Sequence, residues 1–298
     1  MEDKTVYALG FFDGVHRGHA QLLTACRQIA DSLRCRAGVV TFLSHPDELV
    51  YGKAPALITT PEERDRLLYQ DFSMDTVVKL PFDKAMMTMP WMDFYRLLRR
   101  EYGACGLVVG EDFRFGDRGT GTAALLRQAC REEGIPCTVV PQLRLEGEVV
   151  SSTGIRQLLR GGDVRRAAEF LGHPYTLSGT VVHGQGLGHT IGIPTANLPF
   201  PAALEVPRLG VYACMACVNG EKYPAVTNIG TRPTVSGEGI TVEPWILGEV
   251  GDLYGAPLRL EFLEFVRPER KFPDLDALRA EIRRNGEQTL KICGGVQA

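Results

Sequence analysis

Leu9-Gly10-Phe11-Phe12-Asp13-Gly14-Val15-His16-Arg17-Gly18-His19 is the stretch on which the first half of the chain turns. It closes a strand-like apolar run, Val6–Phe12, and leads straight into an amphipathic segment that predicts a helix from about Gly18 to Ser32. Glycines at 10, 14 and 18 let backbone approach a ligand closely, and the helix start offers free N–H groups to an anion. His16 and His19 flank Gly18 at that point, where imidazoles can donate hydrogen bonds to phosphate oxygens as charge builds up during transfer. The turn lacks a G-x-G-x-x-G spacing, which argues against a dehydrogenase.

Outward from this turn the alternation continues. Ala37–Phe42, Asp75–Leu80, Cys105–Gly110 and Cys137–Val140 read as strands. Helices are predicted after Pro61, over Pro90–Glu101 and over Ala123–Glu133, with two more at Thr153–Arg160 and Asp163–Leu171. Strands and helices in this rhythm imply βαβ units and a parallel sheet covered on both faces. After Gly172-His173-Pro174 the helical period disappears. Tyr175–Val182, Gly210–Val218, Tyr223–Ile229, Ile240–Leu247 and Leu258–Phe265 are β-rich runs between Gly, Pro and Asn turns, as in a small barrel or sandwich. One amphipathic helix, about Leu275–Ile292, follows. The expected domains are therefore residues 1–172 and 173–298.

The length agrees: 298 residues, at roughly 150 per domain, predict two domains. Hydrophobic residues at 44% and charged residues at 23% supply two cores and exclude disordered or fibrous architectures. Lys+Arg 33 against Asp+Glu 36 leaves a net charge of −3, and no Lys/Arg run exceeds two, so no nucleic-acid partner is expected. Apolar runs such as Ala37–Leu43 fall far short of the roughly 20 residues that cross a bilayer. Met-Glu-Asp-Lys-Thr has no signal-peptide character, so the expectation is a cytoplasmic protein without membrane contact. Of the eight cysteines only Cys214 and Cys217 form a C-x-x-C, inside a strand-like run that would point them to opposite faces. Reduced thiols are expected, not a zinc ribbon or a redox dithiol.

His16-Arg17-Gly18-His19 resembles the H-x-G-H signature of the nucleotidylyltransferase superfamily, and Val150-Ser151-Ser152-Thr153-Gly154-Ile155-Arg156 resembles its second signature, I-S-S-T-x-x-R. That second motif places hydroxyls and a guanidinium at a helix start, a further phosphate clamp. Gly110-Glu111-Asp112-Phe113-Arg114-Phe115-Gly116-Asp117-Arg118-Gly119 is similar to the G-x-D-F-x-F-G-x-x-R-x-G loop of prokaryotic FAD synthetases, with Val40-Thr41-Phe42 and His45-Pro46 similar to their second strand and loop. By residue type alone, Phe113 and Phe115 serve equally as stacking faces or as loop anchors. In the second half, Gly179-Thr180-Val181-Val182-His183-Gly184-Gln185-Gly186-Leu187-Gly188 can cradle phosphates. Pro194-Thr195-Ala196-Asn197 resembles the P-T-A-N motif of riboflavin kinases, and Asn228-Ile229-Gly230-Thr231-Arg232 and Val242-Glu243 follow that family's order.

The resemblance is to bacterial bifunctional riboflavin kinase/FAD synthetases over nearly the whole chain. It implies a Rossmann-like nucleotidylyltransferase domain and a six-stranded β-barrel riboflavin kinase domain with a terminal helix. Riboflavin and ATP would give FMN and ADP in the barrel, with Glu243 as general base and Thr195 and Asn197 holding Mg²⁺. FMN and ATP would then give FAD and pyrophosphate at His16 and His19. The implied ATP contacts are Gly10, Phe11, Phe12, Asp13, Gly14, Ser152, Thr153 and Arg156 in the first half, and Gly179, Gly184, Gly186 and Gly188 in the second. The implied flavin contacts are Asp112, Phe113, Phe115 and Arg118, then Asn228 and Arg232. The chain departs from the family pattern at Phe11, His189 and Pro244-Trp245. Two other readings stand beside this one: a nucleotidylyltransferase for another phosphorylated substrate, and a flavin-binding regulator without catalysis.

Overall fold

The strands β1 (Thr5–Leu9), β2 (Arg36–Phe42), β3 (Thr76–Leu80), β4 (Ala104–Gly110) and β5 (Cys137–Val140) hydrogen-bond in the order β3-β2-β1-β4-β5, every pair parallel. They come from a computed structural model that describes residues 4–184, 192–234 and 237–296. Because neighbouring side chains on a strand point to opposite faces, β1 serves two cores. Val6 and Ala8 pack with Leu23, Cys26 and Ala30 of α1 (Arg17–Leu33) on one face. Tyr7 and Leu9 pack on the other, with side chains of α5 (Trp91–Arg100) and α6 (Ala123–Glu132), the pattern of a parallel sheet covered on both sides. The strand order reverses between β1 and β4, and ligands of such sheets bind beyond the strand ends at that switch point.

Two details differ from the reading of the sequence. The first strand stops at Leu9, because Phe12 is left-handed (φ 59°, ψ 30°) and cannot continue an extended run. Short helices α2 (Pro46–Tyr51) and α4 (Lys84–Met87) also line the connections around β2 and β3, while the helix expected after Pro61 is α3 (Pro61–Arg66), which passes into a π turn at Leu67–Asp71. These pieces are too short to show a helical period.

The chain divides into two compact units, residues 1–57 with 61–152, and residues 58–60 with 153–298. The helices α7 (Ser152–Gly161) and α8 (Val164–Leu171) lie almost wholly in the second, whereas the change of sequence character puts the boundary at Gly172. The second unit is an antiparallel sheet of β6 (Tyr175–Thr180), β7 (Leu198–Pro199), β8 (Gly210–Val218), β9 (Glu221–Thr234), β10 (Gly237–Ile246) and β11 (Pro257–Arg267). Its order is β6-β11-β8-β9-β10-β7, and Val182 N–H donating to the Asn197 carbonyl at 2.9 Å nearly closes it into a barrel. Helix α8 packs on β6 and β11, and α9 (Leu275–Val296) on β8 and β9. Cys214 is wholly buried, whereas the Cys217 thiol lies 3.8 Å from Glu261, so the C-x-x-C pair does face two ways.

Candidate active sites

The β1–α1 turn is strained and heavily tied. Phe12, Gly14 and Val15 have φ of 59°, 76° and 38°, and left-handed backbone costs a residue other than glycine about 1–2 kcal/mol. Such a conformation persists only where its surroundings over-determine it. Here the Phe12 ring is wholly buried, Thr41 Oγ1 donates to the Phe11 carbonyl at 3.0 Å, and Arg64 Nη1 donates to the same oxygen at 3.1 Å. Ser152 Oγ donates to the Asp13 carbonyl at 3.1 Å, which ties Ser152 to the turn. Phe12 therefore offers a ligand backbone only, while Phe11 is half-buried with its ring edge-on to His45.

His16 caps α1, its Nδ1 accepting from the His19 N–H at 3.2 Å, which leaves the imidazole proton on Nε2. The rings of His16 and His19 stack 3.6 Å apart at 12°. Burial, with His16 alongside, holds the His19 imidazole well below its ordinary pKa of 6.5, so it is neutral at pH 7, and its Nδ1 has no partner among the described residues. Two neutral imidazoles at a helix N-terminus are polar donors that cost no charge desolvation, suited to phosphate oxygens. Thr153 is exposed and Arg156 buried on α7, in the second unit.

Leu9 and Gly10 also open onto a cavity of about 1010 Å³ lined by Phe113, Phe115 and Arg118. The two phenylalanines stack at 5.3 Å. Phe115 is the anchor, buried against Trp91 and Phe94, while Phe113 presents a half-buried face. Gly116, at φ 74°, sits where a side chain would meet Trp91 at 2.6 Å, so this loop demands glycine. Asp112 does not line the cavity; its Oδ2 accepts from Gln142 at 3.2 Å. Of the opposite wall, Tyr51, Phe82 and Met86 went unread in the sequence, although the exposed apolar side chains of α2 are a signal for it.

In the barrel, Asn228 on β9 stands directly opposite Glu243 on β10. Both line a cavity of about 470 Å³, with Thr195, Trp245 and apolar residues of α9. Trp245 shares the Glu243 face two residues on, and Glu269 accepts from Asn228 Nδ2 at 3.5 Å; neither was singled out as a site residue from the sequence. A second cavity of about 450 Å³ holds Ala196, Pro244, Asp252 and Tyr254, and Thr195 belongs to both. Asn197 lies so close to Gly184 that a side chain there would collide with its amide. Gly179 is in β6; Gly186, Gly188 and His189 lie outside the described residues, as does the side chain of Arg232. Among the described residues no three His, Cys, Asp or Glu gather to hold a metal. The oxygens of Thr195 and Asn197 are neutral and hard, a donor set that fits a divalent cation carried mainly by substrate phosphates.

A strained turn and helix start at the switch point of a parallel sheet, and a carboxylate beside paired cavities in an antiparallel barrel, suit a nucleotide-dependent transferase. Profiles described as FAD synthetase and riboflavin kinase match residues 1–154 and 171–293. The bifunctional riboflavin kinase/FMN adenylyltransferase of Escherichia coli (strain K12) is 38% identical over 287 residues, 95% of this chain and 91% of that protein. Its counterpart in Bacillus subtilis (strain 168) is 32% identical over 292 residues, 97% of this chain and 92% of that protein. A crystal structure described as a macrolide-efflux protein from Streptococcus pneumoniae has a TM-score of 0.88 at 29% identity, covering 97% of this chain and 94% of that one. Among the described residues here, no helix is long and apolar enough to cross a membrane. The chain belongs to the family of bifunctional riboflavin kinase/FMN adenylyltransferases, enzymes of flavin cofactor biosynthesis that use ATP with a divalent metal.

Proposed function

We propose that the barrel, residues 173–298, phosphorylates riboflavin and that residues 1–172 adenylylate the FMN so formed. The observation that carries this reading is Thr195, common to two cavities of which one contains Glu243. Riboflavin would occupy the Glu243 cavity and ATP the other, so that transfer takes place past Thr195. Glu243 takes the proton from the ribityl hydroxyl, whose oxygen attacks the γ-phosphorus, and ADP leaves. Thr195 and Asn197 would hold Mg²⁺, which neutralises phosphate charge when bound. Gly179, Gly184, Gly186 and Gly188 would approach the phosphates, with Asn228 and Arg232 on the flavin.

For the second reaction, backbone of Gly10, Phe11, Phe12, Asp13 and Gly14, with Ser152, Thr153 and Arg156, would receive ATP. His16 and His19 would donate to the α-phosphate as an FMN phosphate oxygen attacks it and pyrophosphate leaves. That nucleophile is already ionised, so no base is required. Phe113, Phe115 and Arg118 would form the flavin side, with Asp112 holding their loop. The eight cysteines are free thiols, and a reducing, cytoplasmic setting suits them.

Riboflavin, ATP and Mg²⁺ incubated with the protein and resolved by chromatography should yield FMN first and FAD after it. No FMN from riboflavin would leave a nucleotidylyltransferase for another substrate, and bound but unchanged flavin would leave a regulator.

A further inference from the structure

Arg64 stands in Pro61-Glu62-Glu63-Arg64-Asp65-Arg66, a stretch that reads as solvated helix charge, yet it is only 4% exposed. Beyond its bond to the Phe11 carbonyl, its Nη2 reaches the Phe42 carbonyl at 3.4 Å, and the guanidinium lies 4.8 Å from the Phe11 ring centroid. Its Nε has no partner among the described residues, and no carboxylate there pairs with it directly. Burial pulls its pKa below the ordinary arginine value, with Asp65, Asp13 and Glu62 opposing that shift. A buried cation without a direct salt bridge is costly even with carboxylates in its neighbourhood, and an apolar side chain of similar length would spare that cost. Stability alone does not account for an arginine here.

What the guanidinium does hold is the end of β2 and the first carbonyl of the strained turn. With Thr41 it gives the Phe11 oxygen two donors, immediately before the left-handed Phe12. We propose that Arg64 is a positioning residue for adenylyl transfer, clamping Phe11 so that Phe12 to Val15 keep the backbone that seats His16 and the Ser152–Asp13 bond. This rests on the adenylyl-transfer reading of the same turn. Without the clamp, Phe12 can relax toward extended backbone, and the groups that meet ATP move with it.

Arg64→Met keeps the length and the packing while deleting charge and donors; Arg64→Lys keeps charge and one donor direction. Each would be assayed in the full chain for FAD formation at varied ATP, for riboflavin phosphorylation, and for thermal melting. Arg64→Met should melt at or above the parental temperature and phosphorylate riboflavin within twofold of the parent. Its kcat/KM for ATP in FAD formation should fall about 100-fold, chiefly in kcat, as for reacting groups misplaced by about an ångström. Arg64→Lys should regain roughly a tenth of the parental value. FAD formation by Arg64→Met within threefold of the parent would overturn the proposal. So would loss of both activities with lowered melting, which marks a folding residue, or an Arg64→Lys rate no better than that of Arg64→Met. A parent that makes no FAD would instead sink the reading of the turn itself.

Discussion

The α/β unit and the barrel handle the same reagent, ATP, with different residues. In the first, the proposed working parts are backbone and imidazole: a turn with three positive φ angles and two stacked histidines at a helix start. In the second the proposed parts are side chains carried mainly by strands, Glu243 facing Asn228 across β9 and β10, with Thr195 lining two cavities. The nucleophile accounts for the difference. A hydroxyl must lose a proton as it attacks and calls for a carboxylate; an ionised phosphate needs donors where charge accumulates and nothing to take a proton. On the proposed assignment one chain separates general-base catalysis from electrostatic stabilisation, and each activity is a control for the other.

The sharpest test of that separation is Glu243→Gln. It should lower FMN formation by about 10²–10⁴, the range for losing a general base, while conversion of added FMN to FAD stays near parental. Chromatography of the flavins measures both, and parental FMN formation would remove Glu243 from the mechanism. His16→Ala and His19→Ala should do the reverse. Each deletes a donor worth about 10²–10³ in rate, so riboflavin should accumulate as FMN with little FAD. Parental FAD formation in either variant would make that histidine structural.

His19 also ties the first unit to pH. In the unfolded chain it takes up a proton as pH falls through about 6.5, whereas burial beside His16 keeps the folded imidazole neutral. Protonation therefore favours the unfolded state, and the contribution is lost as pH drops below about 6.5. Without ligands, the melting temperature of the full chain should decline between pH 7.5 and 5.5, and His19→Gln should flatten that decline. An equal slope in the variant would mean that other groups carry it.

How far these sites could be read in advance depended on the length and repetition of the elements. The sheet strands are continuous apolar runs, and α1 and α6 keep their period over several turns, so both surfaced directly. His16 and His19 stood out as two imidazoles flanking a glycine at a helix start, and Ser152 only through its motif's pairing with H-x-G-H, serine there being an ordinary cap. Phe11-Phe12 misled, since two aromatics after an apolar strand look extended and nothing in residue type announces a left-handed Phe12. Arg64 stayed hidden because a buried cation and a solvated one look alike among acidic neighbours. The six-stranded barrel was legible only through the family resemblance, since residue pattern alone left barrel or sandwich open: β7 is the two residues Leu198–Pro199, and β9 runs on through Thr234 past an internal Pro224 and Pro233. Glu243 was legible only by its place in a motif series; part of the wall of the cavity around it comes from α9, far along the chain.

The smallest expected effect concerns where the barrel begins. The two profiles stop at 154 and resume at 171, so α7 and α8 fall almost entirely between them. Their packing belongs to the second unit: Leu159, Phe170 and Leu171 are at most 2% exposed, the Leu159 carbonyl accepts from Arg208 N–H at 3.0 Å, and Arg160 pairs with Glu205 through bonds of 2.8 and 2.6 Å. A fragment of residues 173–298 keeps both barrel cavities and should phosphorylate riboflavin at a rate close to that of the full chain. It forfeits the two helices, and burial of each large apolar side chain is worth about 1.5–3 kcal/mol. A fragment of residues 153–298 should therefore melt higher by about 5 °C or more, with the same FMN-forming rate. Equal melting would show that α7 and α8 are connectors without structural weight in the barrel. A folded 173–298 fragment that binds riboflavin and ATP yet forms no FMN would break the comparison between the units, because the kinase site would then need residues from before Gly172.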